Sequence, residues 1–272
     1  MERQLFSMAS EGRLLDVREI LRRNPQLNVN WKGSLERTSL HIACYHGSES
    51  VATLLLLHPD TNVNQKDIGG ETPFFLACVG GKSACVRLLL KDPRVLNPNE
   101  PDSMGYTPLR EIAYCGHLEV AKMWIAYGKE VKLGTPGDSR TDAIGTARRN
   151  RNWEMTALLE RFTDHPEQTR HDVRLQVGYY EEMAAEVFAL MVFHCDGLLE
   201  LRGNPRYPLG LMKQQTRKLK LERQKRFFTI AQRLPIELQM VLCHRLVGLA
   251  KVNIAVKRRE LAFMALARAF QR

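Results

Sequence analysis

Two adjacent pairs, His194-Cys195 and Cys243-His244, are the residues of this 272-residue chain best suited by type to hold a metal. Imidazole and thiolate are good zinc ligands, but neighbouring residues rarely reach one ion together, and zinc sites usually leave two or more residues between ligands. Both cysteines fall on apolar helical faces, which predicts core packing and no metal. The chain has no glycine-rich phosphate loop, no G-x-S-x-G elbow and no H-E-x-x-H pair. Neither catalysis nor a cofactor is expected. A second chemistry is electrostatic. Lys213, Arg217, Lys218, Lys220, Arg223, Lys225 and Arg226 stand together against one acid, Glu222. Such a density attracts phosphate or acidic protein surfaces. It reads as a solvated helix face, as a nuclear-import signal, or as a nucleic-acid or anionic-lipid contact along a basic helix over 211–232. The solvated face is the preferred reading, because no base-reading motif accompanies the charges.

The elements that must position any site are repeats. One short plan recurs at intervals of 34 or 35 residues, anchored at Arg3, Thr38, Thr72, Thr107 and Thr141. In the third and fourth copies Thr is followed by Pro73 or Pro108, a cap followed by a residue whose fixed φ suits the first helical position. Small residues come next (Ala43-Cys44, Ala77-Cys78, Ala113, Ala147), which let helices approach closely. Nine positions after the anchor stand Gly12, Gly47, Gly81 and Gly116, with Asn150 in the fifth copy, predicting a left-handed helix end. A second helix follows with an apolar stripe, such as Val51-Leu54-Leu55 or Val120-Met123-Trp124. Stacked units of this period usually bind proteins.

The totals agree with a folded chain. Apolar residues make up 44% and charged residues 26%. No run approaches the ~20 apolar residues that span a bilayer. The first residues, MERQLFSMASEGR, lack a hydrophobic signal region. Six cysteines without a C-x-x-C pair suit free buried thiols. Together these predict an intracellular protein, cytoplasmic and/or nuclear. The net charge of +10 is uneven: residues 1–162 hold 21 Lys+Arg against 19 Asp+Glu, and residues 163–272 hold 19 against 11.

The repeat pattern resembles the ankyrin family over about residues 1–162, most closely at Thr38-Ser39-Leu40-His41-Ile42-Ala43, Thr72-Pro73 and Thr107-Pro108-Leu109. Phe75 and Arg110 replace the family's histidine in later copies, which predicts the loss of a turn hydrogen bond. The resemblance implies an all-α fold: an ankyrin solenoid of five repeats over 1–162, the outer two degenerate caps, then a basic helical domain over 163–272. It also implies a concave face of joint tips and first helices that binds another protein. Carried onto this chain, the contact positions are Arg37, Tyr45, His46, Ile68, Glu71, Met104, Tyr106, Tyr114, Arg140, Arg148 and Arg149, flanked by Ser34, Leu35, Val79 and Ser103. This face is aromatic and apolar in the middle and cationic at one end, so a partner with an apolar centre and an acidic end would fit it.

Beyond Phe162, apolar spacing predicts one long helix over about 168–201, and Arg202-Gly203-Asn204-Pro205 breaks it. The stretch from Leu234-Pro235-Ile236-Glu237-Leu238 to Leu246 resembles the opening of an F-box, which implies a ubiquitin ligase core as a second partner. An ordinary helix start is the simpler reading, and the tryptophan often found late in the box is absent. The expected function is that of an adaptor. Receptor of a ubiquitin ligase is one alternative, and binding of nucleic acid or anionic lipid is the less favoured one.

Overall fold

The computed structural model describes residues 1–128 and 130–195, with side chains to residue 189, together with Gln239, Met240 and Cys243. The chain divides into two compact units, residues 1–173 and 174–272. Among the described residues all regular elements are helices.

In the first unit the helices come in pairs. They are α1 (Glu2–Ser10) with α2 (Leu14–Arg23), α3 (Ser39–His46) with α4 (Glu49–Leu57), and α5 (Pro73–Val79) with α6 (Ser83–Lys91). The series continues with α7 (Pro108–Cys115) and α8 (Leu118–Tyr127), then α9 (Ala143–Arg149) and α10 (Trp153–Asp164). First helices pack in one row, α1 on α3, α3 on α5, α5 on α7 and α7 on α9, while α2, α4, α6, α8 and α10 form the second. The core lies between the rows. Small buried residues of the first row, Ala43, Cys44, Ala77, Cys78, Ala113 and Ala147, meet Val51, Leu55, Val86, Leu89, Trp124 and Leu159 of the second. The Phe74 and Trp124 rings meet edge to face at 5.0 Å, a geometry that favours aromatic pairs.

The helix starts follow local chemistry. Thr72 Oγ1 accepts from the Phe75 amide at 3.2 Å, and Pro73 fills the first helical position. At Thr38 the cap is reciprocal: the Thr38 amide donates to His41 Nδ1 at 3.1 Å. The backbone N–H can only donate, so Nδ1 is the acceptor, and Nε2–H donates to the Glu71 carbonyl of the next repeat at 3.2 Å. Burial holds the His41 imidazole down at about 4.

Three sequence expectations change here. The anchor Arg3 does not precede the first helix as the other anchors do but falls inside it, since α1 begins at Glu2 with Met1 before it. In the fifth repeat Asp142 replaces Thr141 as the cap, accepting from the Gly145 amide at 2.7 Å. That one-residue shift carries through the unit: Asn150 keeps φ −87°, and Arg151 takes the left-handed position at φ +59°. The expected single helix over 168–201 is broken at Gly178, φ +69°, leaving α11 (Pro166–Gln176) and α12 (Tyr179–Cys195). A left-handed residue takes the chain out of helical φ/ψ, so the i→i−4 ladder stops there.

Asparagines tie the joints together. Asn30 Nδ2 donates to the Asp60 carbonyl at 2.7 Å and its Oδ1 accepts from the Asn62 amide at 2.8 Å. Asn64 does the same to Arg94 and Leu96, and Asn99 to Glu130 and Lys132. Each asparagine satisfies backbone groups of the following repeat that no helix reaches, and so sets the spacing between loops.

In the second unit α12 buries Ala184, Ala185, Val187, Phe188 and Ala189. Arg174 lies 4.8 Å from the Tyr179 ring centroid. Gln239, Met240 and Cys243 are helical and buried. The remainder of the F-box-like stretch and the basic helix expected over 211–232 lie outside the described residues.

Candidate functional site

The loop tips before the first helices join into a ribbon. The Ile68 amide donates to the Leu35 carbonyl at 3.0 Å and the Ser103 amide to the Gly69 carbonyl at 2.8 Å; the Thr107 amide donates to the Arg140 carbonyl at 3.1 Å. The third and fourth tips are each shaped by a carboxylate that binds its own loop. Asp102 Oδ1 accepts from the Met104 and Tyr106 amides, both at 2.9 Å. Asp67 Oδ1 accepts from the Gly69 and Glu71 amides at the same distance. These are Asx turns, in which the side chain replaces missing backbone partners.

Behind the third and fourth tips lies a shallow hollow of about 320 Å³, lined by Glu71, Phe75, Val79, Asp102, Tyr106, Arg110, Glu111 and Tyr114. A volume of this size sits at the small end of ligand pockets and suits a side chain or two. Its wall is built on Arg110, whose guanidinium lies 4.6 Å from the Tyr106 ring centroid and 5.0 Å from that of Tyr114. Arg110 Nε donates to the Ser139 carbonyl at 3.1 Å, and its Nη1 is paired with Glu111. Arg110 thus restores the link to the next repeat that the loss of histidine removes, by the same move that His41 makes toward Glu71. The cap loses something all the same: Thr107 Oγ1 is buried without a hydrogen-bond partner.

A second cluster adjoins the first through Glu71. Arg37 Nε bonds Asp67 Oδ2 at 2.9 Å and its Nη2 bonds Glu71 Oε2 at 2.8 Å. The Asp67 side chain is only 1% exposed. Burial pushes the Asp67 carboxyl up, but the Arg37 hydrogen bond and the Glu71 amide outweigh it and hold the group below its ordinary range. Glu71 is shifted the other way, raised first by burial and then by the neighbouring Asp67 charge. Arg37 also lies 5.7 Å from the Tyr45 ring centroid, and Tyr45 meets His46 edge to face at 5.3 Å.

The predicted contact residues therefore separate into four sets. Glu71, Tyr106 and Tyr114 line the hollow, with Val79. Ile68 and Met104 stand on the tips, 68% and 64% exposed, and Arg37, Tyr45 and His46 form the adjoining chain of contacts. The cationic set is dispersed: Arg148 is paired with Glu160, and Arg149 Nη2 donates to Thr146 Oγ1 at 3.0 Å. The Arg140 side chain lies against Gly105. Arg110, Asp102, Glu111 and Phe75 also line the hollow, though from sequence none of them is expected as a contact residue and Phe75 and Arg110 stand only as replacements of the histidine. Arg110 and Tyr114, spaced by four, share one face of α7, and Tyr106 joins them from the tip just before that helix.

Cys44, Cys78 and Cys85 are buried and free, and burial raises the Cys78 thiol. No group of three or more His, Cys, Asp or Glu able to hold a metal occurs among the described residues, and none of the described helices is long and apolar enough to cross a membrane. His194, Cys195 and His244 have no described side chains.

Paired helices stacked in two rows and joined by ribbon-like tips define a helical repeat solenoid. Residues 40–134 match the family model described as ankyrin repeats, in three copies, so this part of the chain is an ankyrin-repeat array, a type of repeat that serves typically as a non-enzymatic protein-binding scaffold. The human ASB11 ankyrin repeat domain, known from a crystal structure, is similar at 27% identity over 56% of this chain, with a TM-score of 0.48. The chain spans 65% of that domain, less than two thirds of its length. No curated protein matches the chain.

Proposed function

We propose that this protein is an adaptor that recognises another protein on the face made by the loop tips and first helices of residues 1–162. The observation that carries the reading is the Tyr106–Arg110–Tyr114 stack walling a hollow beneath exposed apolar tips. Tyrosine and arginine are the residue types that concentrate binding energy, and a ring already held by a cation loses little entropy on binding. Residues 163–272 supply a second contact in this reading. Its chemistry, whether ligase recruitment through Leu234–Leu246 or phosphate binding through Lys213–Arg226, rests on sequence alone.

The test is affinity capture from native lysate with three baits: the intact chain, the Tyr45/Tyr106/Tyr114→Ala triple variant, and the chain ended before Leu234. Partners recovered with the intact chain and absent with the triple variant are expected. Identical recovery with both would sink the reading. Ligase-core subunits lost only on truncation would add the second function.

A further inference from the structure

The tips form an apolar row with unbalanced charge behind it. Leu35 is 57% exposed, Ile68 68% and Met104 64%, and the backbone bonds between their loops hold them side by side. Solvated side chains of this size in a row mark a contact surface. Behind them four carboxylates, Asp67, Glu71, Asp102 and Glu111, face two guanidiniums, Arg37 and Arg110. Both cations are committed: Arg37 to two carboxylates, Arg110 to Glu111, the Ser139 carbonyl and two rings. Among the described residues that line the hollow no cation is free to meet an acidic group: three carboxylates stand against the one committed guanidinium, an excess of two negative charges, with the Arg140 side chain outside the lining, beside Gly105. The Glu71 carboxyl is raised first by burial and then by the Asp67 charge beside it.

We propose that this surface takes an extended protein segment whose lysine or arginine side chain enters the hollow while apolar neighbours lie on Leu35, Ile68 and Met104. The inference rests on the protein-recognition reading and adds the partner's chemistry. An incoming cation would lie close to the Glu71 and Glu111 carboxylates and the tyrosine rings, a setting that desolvates and pairs it at once. At this point of the face the complement is basic, opposite to the acidic end expected from Arg140, Arg148 and Arg149.

The experiment pans a phage-displayed library of random peptides on the full chain, then titrates synthetic versions of the selected peptides by fluorescence anisotropy. Selected peptides are expected to share one Lys or Arg with apolar neighbours. Replacing that residue with Ala, or using Glu111→Gln, should weaken binding about tenfold or more. Ile68→Ser/Met104→Ser should do likewise with an unchanged melting temperature, since both side chains are exposed; this arm keeps the test decisive if Glu111→Gln disturbs Arg110. Selected peptides with a shared acidic residue, binding indifferent to these changes, or no enrichment at all would overturn the proposal. Lysate partners lost with the tyrosine triple variant yet kept by Ile68→Ser/Met104→Ser would refute this chemistry while leaving the adaptor reading intact.

Discussion

His41 couples two repeats through one ring. Its Nδ1 accepts from the Thr38 amide while Nε2–H reaches the Glu71 carbonyl. Protonation would place the ring's second hydrogen on Nδ1, turn that acceptor into a donor and charge a buried ring. The folded value of about 4 lies below the ordinary 6.5. The unfolded chain therefore binds the proton first, and this contribution to stability is complete above pH 6.5 and is lost as pH falls toward 4. By pH 4.5 the loss from this group amounts to about 2 kcal/mol. Urea unfolding of the wild type and His41→Gln at pH 7 and 4.5 checks it: the variant should lose less on acidification, and equal losses would rule the coupling out. Arg110 is the other decisive side chain. Arg110→Ala removes one inter-repeat hydrogen bond and two ring contacts and should cost about 1–2 kcal/mol in the same measurement. The surface Arg22–Glu19 pair, by contrast, is solvated at both ends and contributes little.

Among elements, the helix ends carry the clearest expectation. Gly47 and Gly116 follow their helices at φ +78° and +74°, where a side chain would clash with its own backbone. Arg151 occupies the same position in the fifth repeat at φ +59°. Arg151→Gly should relieve that strain and, after the entropy lost to a freer unfolded chain, stabilise the protein by up to about 1 kcal/mol. A melting temperature about 2–4 °C higher would show it, and a lower one would mean that the strain is absent. The position of this residue was half legible. The nine-residue interval from cap to left-handed residue is written in the chain, but the fifth copy shifts by one because Asp142 out-competes Thr141 as a cap. Only the hydrogen bond to Gly145 reveals that choice. The break at Gly178 had the same character: a glycine within an apolar helical pattern is tolerated in some helices and ends others.

For the whole of the first unit, stacking makes stability a sum over neighbours. Asn64 bridges the second joint to the third with two hydrogen bonds, at 2.7 and 3.2 Å. Asn64→Ala should cost about 1–3 kcal/mol by leaving backbone groups unpaired. Its signature is spatial: hydrogen exchange should quicken around α3 to α6 and stay unchanged in α9 and α10. A uniform rise would mean that the array unfolds as one body, against the nearest-neighbour picture.

The repeat length, the caps at Thr38 and Thr72, the glycines after the first helices and the buried stripes were all readable, because each answers a demand made within a few residues of itself. Cap hydrogen bonds, left-handed φ and helical periodicity are local physics. The use of the side chains was not local. Arg37, read as a contact residue, is spent on Asp67 and Glu71, thirty and thirty-four residues on. Arg110, read as a departure from the family pattern, is the residue around which the hollow is built. Such pairings depend on how far one repeat is displaced and turned against the next, and that displacement is set by packing between two rows of helices. The chain by itself determined an ankyrin array with a tyrosine-bearing face. Tertiary structure decided which charges on that face are already paired, and so which charge a partner must bring.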